Sequence, residues 1–237
     1  MTAGLARTFE GESPTISVII PTWCEAARIG LAIQQAAAFA EEVIVADAGS
    51  PDGTAERARD GGAIVVHAPK GRGPQLHAGA RAARGDVLLF LHADAELGAG
   101  ARAAIAKALR DPAVLGGNFH LRFDAETLAA RTFTWVNHLR RRWLAIYYGD
   151  SAVFVRREAY ESLGGFRPLP LLEDYDFVRR LERAGPTAYL RDVSVQVSAR
   201  RFEGRPWRTL ALWVIIQSLY SLGVTPERLA RLYRDHR

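Results

Sequence analysis

The chain has 237 residues and a mass of 26.1 kDa, enough for one large domain or two small ones. Hydrophobic residues at 49% and charged residues at 24% exclude wholesale disorder, a collagen and a coiled coil, and the single cysteine, Cys24, excludes an internal disulfide framework and a cysteine-based zinc cluster. The net charge of +5 is carried almost wholly by arginine, since only Lys70 and Lys107 are lysines; scattered arginine suits a nucleotide, an anionic membrane surface or an acidic substrate, and nothing in its distribution prompts nucleic-acid binding.

Residues 1–15 contain Glu10 and Glu12 and no apolar core of signal-peptide length, so no secretory signal is expected. Residues 16–20 (ISVII) are a continuous apolar run ended by Pro21, the pattern of a buried parallel strand. Glu25 to Phe39 carries Ile29, Ile33 and Ala37 at helical spacing. A second strand over 42–46 ends at Asp47, and the turn cluster GSPDGT leads into a short helix. A third strand is expected at 63–67. Pro74 then opens a helix to about Ala83. A fourth strand at 86–91 precedes His92-Ala93-Asp94 and a helix near 99–110. This alternation predicts a parallel α/β sheet.

The regularity then breaks. The pattern predicts a strand at 114–123, an arginine-bearing helix at 126–146, a strand at 151–156 with a short helix to Leu163, a helix from Asp174 to Ala184, and one or two strands over 187–198. The helix at 126–146 holds Trp135, His138, Arg140, Arg141, Arg142 and Trp143. Two readings stay open for it, a grip on a lipid phosphate or acidic glycan and a plain amphipathic surface helix. The uncharged stretch Thr209 to Pro226 sits at the lower edge of a membrane span, but Gln217, Ser218, Ser221 and Gly223 favour a buried or membrane-surface helix. The tail after it is a basic amphipathic helix able to lie on anionic lipid or to pack on its own domain. The organisation read from these elements is an N-terminal tail (1–15), one catalytic domain (16–205) with a nucleotide half to about 110 and an acceptor half beyond it, and C-terminal helices (206–237).

In open α/β sheets ligands bind beyond the carboxyl ends of the strands. Those positions hold Pro21, Thr22 and Glu25; Asp47, Ser50 and Asp52; Lys70, Arg72 and Gln75; and His92, Asp94 and Glu96. Each has a structural alternative: Asp47 could cap a turn, Asp94 a helix, and Lys70 and Arg72 could be solvated. Together they suggest a ligand with hydrogen-bond donors and phosphates, and a metal. No GxGxxG, GxxxxGK[ST] or GxSxG occurs, which excludes a dinucleotide fingerprint, a P-loop and a hydrolase elbow. Later, Glu173 and Asp174 open a helix after an apolar loop, where burial would raise a carboxylate pKa and make a better base. Arg200 and Arg201 follow the last strand region as candidates for a leaving phosphate or as a surface pair.

Residues 16–25 (ISVIIPTWCE), 43–54 (VIVADAGSPDGT), 88–94 (LLFLHAD) and 164–181 (GGFRPLPLLEDYDFVRRL) resemble the family-2 nucleotide-sugar glycosyltransferases of the GT-A fold. Segments 70–94 and 219–233 are similar to the bacterial subgroup named for association with radical-SAM and selenium-domain proteins. The resemblance spans roughly residues 16–203. It implies a mostly parallel α/β sheet flanked by helices, and an inverting transfer from a nucleoside-diphosphate sugar, UDP favoured, to an acceptor hydroxyl. It implies that Pro21, Thr22, Glu25, Asp47, Ser50, Lys70, Arg72 and Gln75 line the nucleotide. Asp94, with His92 where the family more often has Asp, would hold a divalent cation, Mn2+ or Mg2+. Asp174 would be the catalytic base, with Glu173, Arg200 and Arg201 near diphosphate or acceptor. His77 stands where relatives often carry Asn. The partners expected are the donor and an acceptor of unknown identity, lipid-linked acceptors included, in the cytoplasm with peripheral membrane contact through the C-terminal helices. The rival readings are a nucleotidyltransferase, which needs a glycine-rich pyrophosphate turn where PTWCE stands, and a non-catalytic nucleotide-binding or scaffold protein on the same fold.

Overall fold

The computed structural model describes residues 9, 13–198 and 206–234. The first four strands are β1 (Ile16–Thr22), β2 (Glu42–Asp47), β3 (Ile64–His67) and β4 (Val87–Phe90), and their mutual pairings are parallel. Between them run α1 (Ile29–Ala37), α2 (Thr54–Asp60) and α3 (Arg72–Ala82). After β4 come β5 (Ala95–Leu97), α4 (Ala101–Ala108), β6 (Gly116–Phe123), α5 (Leu128–Leu144), a 3₁₀ turn at Gly149–Ser151, and β7 (Phe154–Arg156). The chain continues through α6 (Arg157–Ser162), α7 (Glu173–Ala184) and β8 (Thr187–Val197), and α8 (Pro206–Ser221) and α9 (Pro226–Arg234) follow. One sheet of eight strands holds them in the order β3-β2-β1-β4-β7-β6-β8-β5. β7 runs antiparallel to β4 and β6, β6 and β8 are parallel, and β5 is antiparallel to β8.

Both sheet faces are covered, which is why the central strands read as unbroken apolar runs. Period-two alternation sends Val18, Ile20, Val45 and Leu89 to one face, against α1 and α4 through Ile33 and Ile105. It sends Ile19, Ile44, Leu88 and Phe90 to the other, against Leu76 of α3, Tyr160 of α6, and Phe177 and Leu181 of α7.

Pro21 does not end the first strand. It pairs opposite Ala46, and β1 continues to Thr22. The Ile19 carbonyl accepts from the Leu91 amide on the β4 side, so Pro21, two residues on, faces that same side beyond the last residue of β4. A missing N–H costs nothing there.

The helix expected from Glu25 starts only at Ile29, because the amides before it are taken by side chains of the next loop. The Cys24 amide donates to Ser50 Oγ (2.9 Å), that of Glu25 to Thr54 Oγ1 (2.9 Å) and that of Ala26 to Asp52 Oδ2 (3.1 Å). The three-residue strand β5 was not expected; it adds to β8 directly after the His92–Asp94 turn. Residues 187–197 are one strand with an insertion. Phe119 of β6 faces Leu190 but His120 faces Ser194, so Arg191, Asp192 and Val193 have no partner in β6. Among the described residues no helix is long and apolar enough to cross a membrane.

Candidate active site

Asp47 ends β2 fully buried. Its Oδ1 accepts from Thr22 Oγ1 (3.0 Å) and Ser50 Oγ (2.6 Å), and its Oδ2 from the Gly49 (2.9 Å) and Ser50 (2.8 Å) amides. These four bonds fill the lone-pair sites of a carboxylate. Burial pushes the Asp47 pKa up, but the bonds from Ser50, Thr22 and Gly49 outweigh it and hold it below the usual aspartate value. Asp47 thus builds the loop that receives the chain after β1. Gln75 is similarly engaged: its amide donates to the carbonyls of Thr22 (2.7 Å) and Ala46 (2.9 Å) and locks α3 to the ends of β1 and β2. Lys70 lies over the Trp23 ring, 3.6 Å from its centroid, which joins the loops after β1 and β3. Pro21, Glu25 and Ser50 sit half-buried along the same rim.

Four strands away in sequence, α7 opens with Glu173, Asp174 and Asp176 in its first turn, where the helix dipole favours acids. Leu172, which enters the helix, has φ +61°, a costly conformation for a branched side chain. Arg72 at the start of α3 donates through Nε to Glu173 Oε1 and through a terminal nitrogen to Asp174 Oδ2 (3.2 Å). This contact depends on Gly73, where a Cβ would lie 2.4 Å from the Arg167 carbonyl oxygen and 3.2 Å from Glu173 Cβ. Burial raises the Glu173 pKa against the pull of Arg72, and the adjacent Asp174 charge adds to the rise. The Arg72 pKa is raised: the two carboxylates outweigh its desolvation.

Asp174 is 5% exposed, and its Oδ2 also accepts the Gly149 amide (2.9 Å). Among the described residues its Oδ1 accepts only the Tyr175 amide (2.7 Å), which leaves a lone pair on that oxygen. A Cβ on Gly149 would lie 3.2 Å from Asp174 Oδ2 and 3.5 Å from His92 Nε2. The end of β4 and the start of α7 therefore meet across one glycine, and His92, Asp174, Arg72 and Gly149 line one small cavity.

Asp94 lies two residues beyond His92 in the turn between β4 and β5. Among the described residues no three His, Cys, Asp or Glu side chains gather as a metal set. An imidazole and a carboxylate on one turn fit a cation that takes its remaining oxygens from a diphosphate and water, with Mn2+ suited to the imidazole. His77 does not reach this cavity; its Nδ1 is 3.1 Å from the Tyr160 hydroxyl. Arg200 and Arg201 lie outside the described residues.

Residues 147–150 were not singled out in the sequence, although Gly149-Asp150 between a helix and a strand is a turn signal. Tyr148 donates to Gln217 Oε1 of α8 (2.6 Å), Arg140 reaches the same oxygen (3.2 Å), and Tyr175 packs on Tyr220. α8 is therefore seated on the site's outer wall. Burial raises the Tyr148 hydroxyl pKa well above that of free tyrosine, so it acts as a donor.

The sequence profile of the family described as Glycosyl transferase family 2 matches residues 17–164. No protein of curated function matches the chain. Among solved structures, a mycobacterial protein is 25% identical with a TM-score of 0.55, covering 80% of this chain; this chain spans 66% of that protein's length. A mannosyltransferase from Pyrobaculum calidifontis in complex with GDP-Man and Mn2+ is 21% identical, TM-score 0.64, over 92% of this chain and 67% of its own. Glucosyl-3-phosphoglycerate synthase from Mycobacterium tuberculosis, in complex with Mn2+, UDP and phosphoglyceric acid, is 23% identical, TM-score 0.62, over 91% and 80%.

Proposed function

The chain belongs to glycosyl transferase family 2 and has the GT-A α/β fold, and from that membership we propose that it moves a sugar from a nucleoside-diphosphate sugar to an acceptor hydroxyl with inversion. The observation that carries this reading is the meeting of Asp174 and His92 across Gly149. The complexes of the similar structures with GDP-Man, UDP and Mn2+ support the donor class; UDP is favoured here. Similarity of segments 70–94 and 219–233 supports placement beside the radical-SAM and selenodomain-associated subgroup.

In this mechanism the acceptor oxygen attacks the anomeric carbon as the diphosphate leaves from the opposite face. The acceptor proton passes to Asp174 Oδ1, while the amides of Gly149 and Tyr175 hold the carboxylate in place. Arg72, a third exposed, stands ready for the charge growing on the diphosphate, and Glu173 positions it. His92 and Asp94 would hold the divalent cation, Mn2+ or Mg2+, that supplies charge stabilisation to the leaving group. Pro21, Thr22, Glu25, Ser50, Lys70 and Gln75 form the nucleotide wall. Asp47 would accept from the base in place of one Ser50 bond.

Peripheral membrane contact belongs to the same reading. Trp207, Val214, Ile215 and Leu222 on and just after α8 face outward, an apolar strip where a surface helix is normally polar. Arg208, Arg228 and Arg231 are exposed nearby in sequence, so an anionic lipid surface is the occupant of matching charge.

Asp174→Asn tests the core of the proposal. Turnover with a panel of UDP- and GDP-sugars is expected to fall by ~10²–10⁴-fold, with calorimetric UDP affinity unchanged. Full turnover in this variant rejects Asp174 as the base. Absence of transfer and hydrolysis by the wild type across the panel favours a non-catalytic nucleotide-binding protein.

A further inference from the structure

A second cavity, a groove of about 1200 Å³, lies between α4, α5, the end of β6 and the inserted residues of β8. Its walls carry Lys107, Arg122, Arg131 and Arg191 against Glu126 and Asp192. Among the described residues none of these four cations forms an ion pair with a carboxylate, whereas Arg72, Arg102, Arg141, Arg167 and Arg180 all do. At its floor the Tyr189 hydroxyl is 2.7 Å from His120 Nδ1 and 3.0 Å from His138 Nδ1. For the hydroxyl to donate to one ring and accept from the other, the ring that accepts must be a neutral imidazole. Burial keeps both histidine pKa values below the usual range, helped at His120 by His138, Arg122 and Arg191 and at His138 by Arg191 and Arg142. A cleft with surplus charge of one sign focuses the field on an ion of the other.

The groove shares a wall residue with a third, much smaller space: Tyr189 lines both, and the smaller space is also lined by Tyr148 and Asp150, the residues on either side of Gly149. The insertion of three residues in β8 is what places Arg191 on the groove wall opposite the helix.

We propose that this groove binds the anionic part of the acceptor, a phosphate- or carboxylate-bearing group, and directs its hydroxyl past Tyr189 and Tyr148 to Asp174. The proposal rests on the glycosyltransferase reading and adds the acceptor's chemical class. Guanidinium groups meet phosphate through paired, charge-assisted bonds, which suits the arginines of both walls.

The test uses the full chain. Glycerol 3-phosphate is titrated calorimetrically into the wild type, R122E/R191E and K107E, with UDP and Mn2+ titrated into the same preparations. The wild type is expected to bind glycerol 3-phosphate, R122E/R191E to bind it about tenfold more weakly or worse, and K107E to follow in the same direction. UDP affinity is expected to be equal in all three, which also shows that the variants are folded. A parallel arm measures retention on phosphatidylcholine vesicles containing phosphatidic acid. Retention lost in R122E/R191E without a glycerol 3-phosphate response assigns the phosphate to a lipid headgroup; a response to glycerol 3-phosphate alone assigns it to a water-soluble acceptor. Equal binding by wild type and both variants, or no wild-type binding of either probe at millimolar phosphate, overturns the groove. Failure of UDP to bind the wild type counts instead against the glycosyltransferase reading.

Discussion

Gly149 shows how much of the site rests on a residue without a side chain. Its amide holds Asp174, and its bare Cα lets His92 and the carboxylate approach from two sides. In Gly149→Ala the new methyl group would press on Asp174 Oδ2 at 3.2 Å, tighter than ordinary contact. Displacement by a few tenths of an ångström is expected to cut turnover about tenfold, with UDP affinity and melting temperature little changed; steady-state kinetics beside calorimetry reads the split. Asp94, Asp174 and Lys70 were singled out in the sequence because residues in motifs carry their chemistry in their side chains. Gly149 was not, since its contribution is an amide and an empty volume. Asp47 stands out in the sequence by its position at a strand end, but only in the folded chain does its own loop fill the carboxylate.

At the scale of elements, β6, β8 and α5 meet around His120, His138 and Tyr189. Burial is the leading cause of both lowered histidine pKa values. His138, Arg122 and Arg191 add to it at His120, and Arg191 and Arg142 at His138. Because both folded pKa values lie below the unfolded value of about 6.5, the unfolded chain binds protons that the native state refuses. Stability is therefore complete above about pH 7 and declines as pH falls through that window. Thermal melts from pH 7 to pH 5 are expected to show the decline, and H120Q/H138Q to flatten it. Element types were readable because apolar periodicity differs between strands and helices. The misreadings have local causes. Loop side chains took the amides that would have begun α1 at Glu25, Pro21 faced an unpaired side of β1, and β5 was too short to show a period.

At the scale of the whole molecule, one sheet runs from β3 to β5 and so includes strands from both halves of the chain. β7 is the joint, paired to β4 on one side and β6 on the other. The reading of residues 16–205 as one domain predicts a single calorimetric transition with equal calorimetric and van't Hoff enthalpies; two separated transitions would divide it. The apolar strip on α8 makes its own prediction. Co-sedimentation with phosphatidylglycerol vesicles is expected for the wild type and expected to drop several-fold in V214E/I215E, since each buried apolar side chain contributes about 1.5–3 kcal/mol. The amino-acid sequence by itself determined the strand–helix alternation, the two-faced core and the polar residues at the strand ends, because periodicity and motif chemistry are local properties of the chain. Tertiary structure alone decided that Arg72 spans Glu173 and Asp174, that His92 meets Asp174 over Gly149, and that three arginines and a lysine share one groove. Such contacts join segments up to about a hundred residues apart, and their distances follow from strand order and register, which no local pattern encodes.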